Sequence, residues 1–223
     1  MRIFLGILLL VVISVSTLFG QIKQTSRIDL TNKMLSPTEQ DFAQAQSENF
    51  QVFKILPRGM FDYEKNNLSV RGGGAYYSFT KNSHSYNDTP QIELQNNDLY
   101  VGFYGRNYGL ISDLGYVLLS AADENIAEII SLWNYKPKQN EREVEEFLKS
   151  PKGLEIEGIT YKRRIPAIVG HTYILRAISF DEADILVAFK VHRKDTDGSL
   201  IIFWKMLKEF DKPTIIRNSA SLD

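Results

Sequence analysis

The apolar positions change their spacing several times along the chain, and each change predicts a different element. Residues 3–13 run without a polar side chain, from Ile3 through Leu8, Leu9 and Leu10 to Ile13. Arg2 precedes the run, no other charge occurs before Lys23, and Ser14, Ser16, Thr17 and Gly20 follow it. A positive start, an apolar core and an exit through small residues predict a secretory signal peptide over residues 1–20. The run is shorter than the roughly 20 residues that a membrane span needs. Cleavage is expected after Ser16 or Gly20, and an uncleaved leader is then the one route to a membrane.

Residues 21–46 are polar and lack a period, and read as a tether carrying one short helix. Ser36-Pro37-Thr38-Glu39 predicts its start, with Ser36 as N-cap, Pro37 in the first helical position and Glu39 in the third. From Phe50 the spacing becomes that of strands. Phe50 to Ile55 is apolar on nearly both faces, and Leu68 to Arg71 and Ala75 to Thr80 read as strands interrupted by Gly72-Gly73-Gly74. Gln91 to Gln95 and Leu99 to Tyr104 flank Asn96-Asn97-Asp98 and predict a β-hairpin. Ile126, Ile129, Ile130 and Trp133 fall on one face of a helix begun by Asp123. Asn140 caps a second helix that turns Val144, Phe147 and Leu148 to one side. Thr172 to Phe180, Ile185 to His192 and Leu200 to Leu207 are long strands joined by short polar turns, with no helix between them.

The expected fold class is therefore α+β: a mainly antiparallel twisted sheet, or a partial barrel, with two to three helices and a leader ahead of it. Residues 1–20 are the leader, 21–46 the tether, 47–212 a single globular domain and 213–223 a flexible tail. Leu186, Val187, Phe189, Ile201, Phe203 and Trp204 are the expected core.

Composition narrows the function classes. Lys and Arg number 26 against 27 Asp and Glu, so the basic excess of a nucleic-acid binder is missing and no nucleic-acid partner is expected. At 43% hydrophobic the chain is too apolar to stay disordered. It contains no cysteine, which removes disulfides, thiolate metal sites and cysteine nucleophiles together. An exported chain without cysteine fits a bacterial periplasm or cell surface.

The motifs that carry chemistry elsewhere fail on their own residues. Asp181-Glu182-Ala183-Asp184 spells a helicase box, but no phosphate-binding loop accompanies it and it reads as a hairpin turn. Asp195-Thr196-Asp197-Gly198 opens like a calcium loop, yet Ser199 and Met206 stand where its fifth and twelfth residues should ligate. His84, His171 and His192 lie too far apart for ligand spacing. No metal and no cofactor are expected.

One segment stands out. Residues 76–116 hold seven of the eleven tyrosines, interleaved with polar loop residues. A tyrosine offers a flat apolar face with a hydroxyl at its tip, which suits sugar rings and extended peptides. The expected ligand contacts are Arg71, Tyr86, Tyr104, Arg106 and Tyr108, the two arginines supplying forks for an anionic group. The leading expectation is an exported, non-enzymatic domain that binds a glycan, peptide or envelope protein through this face. One alternative is a hydrolase or lyase acting on a cell-envelope polymer, with His84 as acid–base. Another is an accessory subunit that pairs by a sheet edge.

Overall fold

The computed structural model describes residues 33–58, 72–103, 107–150 and 152–215. The leader, the strand expected at Leu68 to Arg71 and the end of the tail lie outside them. Five strands form a large sheet in the order β1 (Gln51–Ile55), β11 (Leu200–Phe210), β10 (Ala183–Lys194), β9 (Thr172–Ser179), β5 (Asn107–Asp113). Four short strands form a second sheet: β2 (Tyr76–Tyr77), β3 (Ile92–Gln95), β4 (Asp98–Tyr100) and β8 (Arg164–Pro166). A separate hairpin joins β6 (Leu154–Ile156) to β7 (Ile159–Tyr161). Every pairing is antiparallel, as the short turns required.

The fold is α+β, but neither a lone sheet nor a partial barrel. β9 is buried along its whole length, so both faces of the large sheet need cover. Side chains alternate across a strand and divide it cleanly. Tyr173, Leu175, Val187, Phe189, Ile202 and Trp204 face the small sheet, where Phe53 stacks on Tyr77 with ring centroids 3.6 Å apart. Ile174, Ile178, Leu186, Ala188, Ile201 and Phe203 face the helices and the β6–β7 hairpin. All six expected core residues are buried.

Helices cover the second face. There are more helical segments than expected: α1 (Glu39–Ser47), α2 (Ala127–Asn134) and α3 (Glu141–Lys149), besides helical residues at 33–35. α1 starts two residues later than its Ser-Pro signal, at Thr38. The Thr38 hydroxyl accepts from the Asp41 amide at 3.2 Å, and the Asp41 carboxylate accepts from the Thr38 amide at 2.9 Å. Asp41 also takes Arg193 of β10 at 2.5 and 3.0 Å, which docks a helix that has little apolar surface. In α2 the buried positions are Ile129, Ser131 and Leu132, and Ile130 is exposed, so the inward face is rotated from the predicted one. Asp123 caps the preceding turn through the Asn125 amide, and Ile126 takes the N-cap position without a side-chain bond. Asn140 caps α3 as its sequence indicated, accepting from the Arg142 amide at 3.0 Å.

β5 has no counterpart among the strands expected from the sequence, the nearest of which ends at Tyr104. It forms because Gly102 and Gly109 let two backbones cross: a Cβ on Gly102 would lie 2.6 Å from the Gly109 nitrogen. Phe103 and Asn107, next to this close approach, line the site described next.

Candidate functional site

The turn between β9 and β10 marks one end of the large sheet, and the residues of the tyrosine segment gather around it. Tyr86, Asn87, Thr89, Phe103, Asn107, Ser179 and Glu182 line a cleft of about 190 Å³ there. Pockets for drug-sized ligands run from roughly 300 to 1,000 Å³, so this one takes a single ring or side chain. A larger hollow of about 400 Å³ adjoins it across Thr89 and Glu182, bounded by Lys81, Gln91, Glu209 and Lys212.

The loop that presents Tyr86 is held by its own polar residues. Ser85 caps a 3-10 turn over Tyr86–Asp88 by accepting from the Asn87 amide, and Ser83 donates to Asp88 at 2.6 Å. Thr89 ends the turn in the left-handed region, with φ 48°, and its hydroxyl donates to the Glu182 carboxylate. Gln91, buried, accepts from the Phe79 amide at 2.6 Å and donates to the Thr89 carbonyl at 2.5 Å. On the other wall Asn107 accepts from the Phe103 amide at 2.7 Å. Tyr76 stands edge-on to both Tyr86 and Phe103, at 5.0 and 5.5 Å between centroids. The cleft is therefore held by the fold's own bonds, with an aromatic wall facing amide and carboxylate groups.

The sequence-predicted residues separate. Tyr86 lines the cleft. Arg71, Tyr104 and Arg106 lie outside the described residues. Tyr108, expected as a ligand contact, is only 1% exposed and points to the helix side of the sheet. Its hydroxyl accepts from the Lys138 amide at 3.0 Å and meets the Tyr135 hydroxyl at 3.3 Å, and burial pushes its phenol well above the ordinary range. Tyr108 thus fastens the α2–α3 link to β5. Tyr77 lies in the inter-sheet core, and Tyr116 is 80% exposed beside His171, whose ring centroid is 4.4 Å away. Thr89, Ser179 and Glu182 were missed. Glu182 carried no signal beyond a turn, because its place beside Thr89 is set by the β9–β10 hairpin and not by spacing.

His84 does not serve the cleft. Its Nε2–H donates to the Lys54 carbonyl of edge strand β1 at 2.6 Å, and its ring packs edge-on against Phe53 and Tyr77. Burial holds its pKa below the ordinary 6.5, and the bond to Lys54 offsets only part of that. The unfolded chain therefore binds this proton more readily than the folded one. Stability is unaffected above pH 6.5 and falls as pH drops below it. His192 shifts the same way, whereas burial raises Glu93 above 4.5 and works against them at lower pH. His84→Gln keeps a donor for Lys54 and removes the titration. Urea unfolding between pH 7 and 5 should show a shallower decline in this variant, and an unchanged slope would refute the assignment.

Among the described residues no group of three or more His, Asp or Glu is placed to hold a metal ion. Comparison of the chain with protein-family models, with curated proteins and with solved structures finds no match. The reading of the site rests on its own geometry.

Proposed function

We propose that the protein is an exported, non-enzymatic binding domain that holds one sugar ring or polar side chain of an envelope-associated ligand in the Tyr86 cleft. The observation that carries this reading is the pairing of an aromatic wall, Tyr86 and Phe103, with Asn107, Thr89 and Glu182 across one hollow. A ring stacked on Tyr86 would present its hydroxyl or amide donors to Glu182, which has no other side-chain bond among the described residues. Export is inferred from the leader pattern and the absence of cysteine.

The other two readings have less support. A catalytic His84 would need access to substrate, and its ring is engaged with Lys54 away from the cleft lining. An edge-pairing subunit would need an open strand. β1 has its Lys54 carbonyl taken by His84, and β5 is bridged at Ile111 to Lys162 in both directions at 3.0 Å.

Chitotetraose and a muramyl tripeptide are suitable probes, titrated by NMR into the full mature chain. Tyr86→Ala should weaken binding by about tenfold or more, and Glu182→Gln by a smaller factor, with both variants still folding cooperatively. His84→Gln should bind as the parent does. No saturable shift with either probe to about 10 mM, or equal binding by Tyr86→Ala, would remove the proposal.

A further inference from the structure

On the helix side of the large sheet a cleft of about 630 Å³ opens between the end of α2 and the end of β11. A β-bulge builds it. Leu186 pairs with Lys208 and Val187 with Met206, so Leu207 is an extra residue on β11. Without it, Lys208 and Phe210 would alternate onto the face that packs against the small sheet. With it they stand beside Arg176 and Asp184 on the helix face.

The charges in this cleft do not balance. Arg176 and Asp184 on the floor satisfy each other through two contacts of 2.9 and 2.8 Å. Arg176 also donates to the Leu132 and Tyr135 carbonyls at 2.5 and 2.8 Å, covering acceptors at the C-terminus of α2 whose negative end would otherwise face the opening. Lys136, Lys208 and Lys212 remain, with Asp211 as the one carboxylate among the described residues that lines the cleft besides Asp184. Among the described residues none of the three lysines makes an ion pair, although surface lysines Lys54 and Lys138 do. Lys208 is held in place by the Trp133 and Phe210 rings, 4.1 and 4.8 Å from its ammonium, so its charge is aimed and not free to swing into solvent.

We infer that this cleft binds a small oxyanion, a phosphate or carboxylate group, between Lys136, Lys208 and Lys212. Three lysines share this one concave lining, and an anion seated among them offsets their like charge. Asn134 and Gln139, also in the lining, add uncharged donors for the remaining oxygens. Lys212 also bounds the hollow beside the Tyr86 cleft, but the Tyr86 cleft itself shares no lining residue with this one, and the inference does not depend on the reading given to it.

Trp133 lies in the wall and Trp204 between the sheets, so tryptophan fluorescence reports on the cleft against a constant background. The full mature chain is titrated with inorganic phosphate, citrate and glucose 6-phosphate, and separately with phosphatidylglycerol vesicles. A saturable change below about 1 mM is expected, weakening as salt is added. A response to vesicles alone assigns the same cleft to a lipid headgroup, and a response to the soluble anions assigns it to free ligands. Lys208→Gln and the pair Lys136→Gln with Lys212→Gln should each weaken binding by about tenfold, while Tyr86→Ala leaves it unchanged. Asp211→Asn should tighten it, a gain that misfolding cannot imitate. No saturable change with any probe, or unchanged affinity in both the lysine variants and Asp211→Asn, overturns the inference.

Discussion

Asp184→Ala is expected to cost about 3–5 kcal/mol of folding stability, the cost of leaving one member of a buried ion pair without its partner. For a chain of this size that lowers the melting temperature by roughly 6 to 20 °C. The side chains of Arg176 and Asp184 are 2% and 1% exposed, so the charge left behind stays largely out of water. The Arg176 guanidinium cannot shed its charge, and it lies 3.7 Å over the Phe210 ring with both carbonyls of the α2 terminus on its remaining nitrogen. Arg176→Met should be at least as damaging, because it strands the carboxylate and uncovers those carbonyls together. The double change Arg176→Met with Asp184→Leu removes both charges and should cost clearly less than the two single changes added. Urea unfolding of the four proteins measures this as a cycle. A single-variant loss under about 1 kcal/mol would show that the pair is not desolvated as its burial implies.

Gly102→Ala is expected to be the second large loss, and its reason is steric. At φ +76° the added methyl would lie 2.6 Å from the Gly109 nitrogen and 2.7 Å from the Tyr108 Cα. Both are backbone atoms, so no side chain can swing aside. The left-handed conformation alone costs an L-residue about 1–2 kcal/mol, and forcing β5 away adds about 1–3 more. Gly115 supplies the control. It has φ +70° and nothing within 4 Å of its would-be Cβ, so Gly115→Ala should carry only the conformational part. Equal losses at the two positions would mean that Gly102 matters for its φ and not for the crossing. Because the crossing sets Phe103 and Asn107 against each other, Gly102→Ala should also disturb the Tyr86 cleft.

Much of the fold is readable along the chain. The three long strands of the last third appear where their β-branched and aromatic residues lie, and the Asn96-Asn97 turn joins β3 to β4 as its residues indicate. What failed did so for physical reasons. β5 is hidden because Gly109, a residue that weakens a strand by itself, is required there by Val101, 8 residues away in the chain, whose Cβ would lie 2.6 Å from an added methyl. β8 is three residues long and its pairing with β4 is non-local. Tyr108 shares its residue type and surroundings with Tyr86, yet one is core and the other lines a cleft, because strand alternation turns Tyr108 toward the helices. Arg176 offered a usable signal: a lone cation inside an apolar strand needs a carboxylate when buried. Which carboxylate answers it was settled only by the β9–β10 register, which places Asp184 diagonally beside it.

Local pattern alone determined that this protein is built from antiparallel strands with a few short helices and that it does without cysteine. Those properties follow from periodicity, turn chemistry and composition, which act over neighbouring residues. The double covering of the large sheet, the sorting of tyrosines into core and cleft, and the bulge that turns Lys208 and Phe210 toward Arg176 were decided only in the tertiary structure. Each depends on which strand lies beside which and in what register, and a shift of one residue in that register would reverse every face.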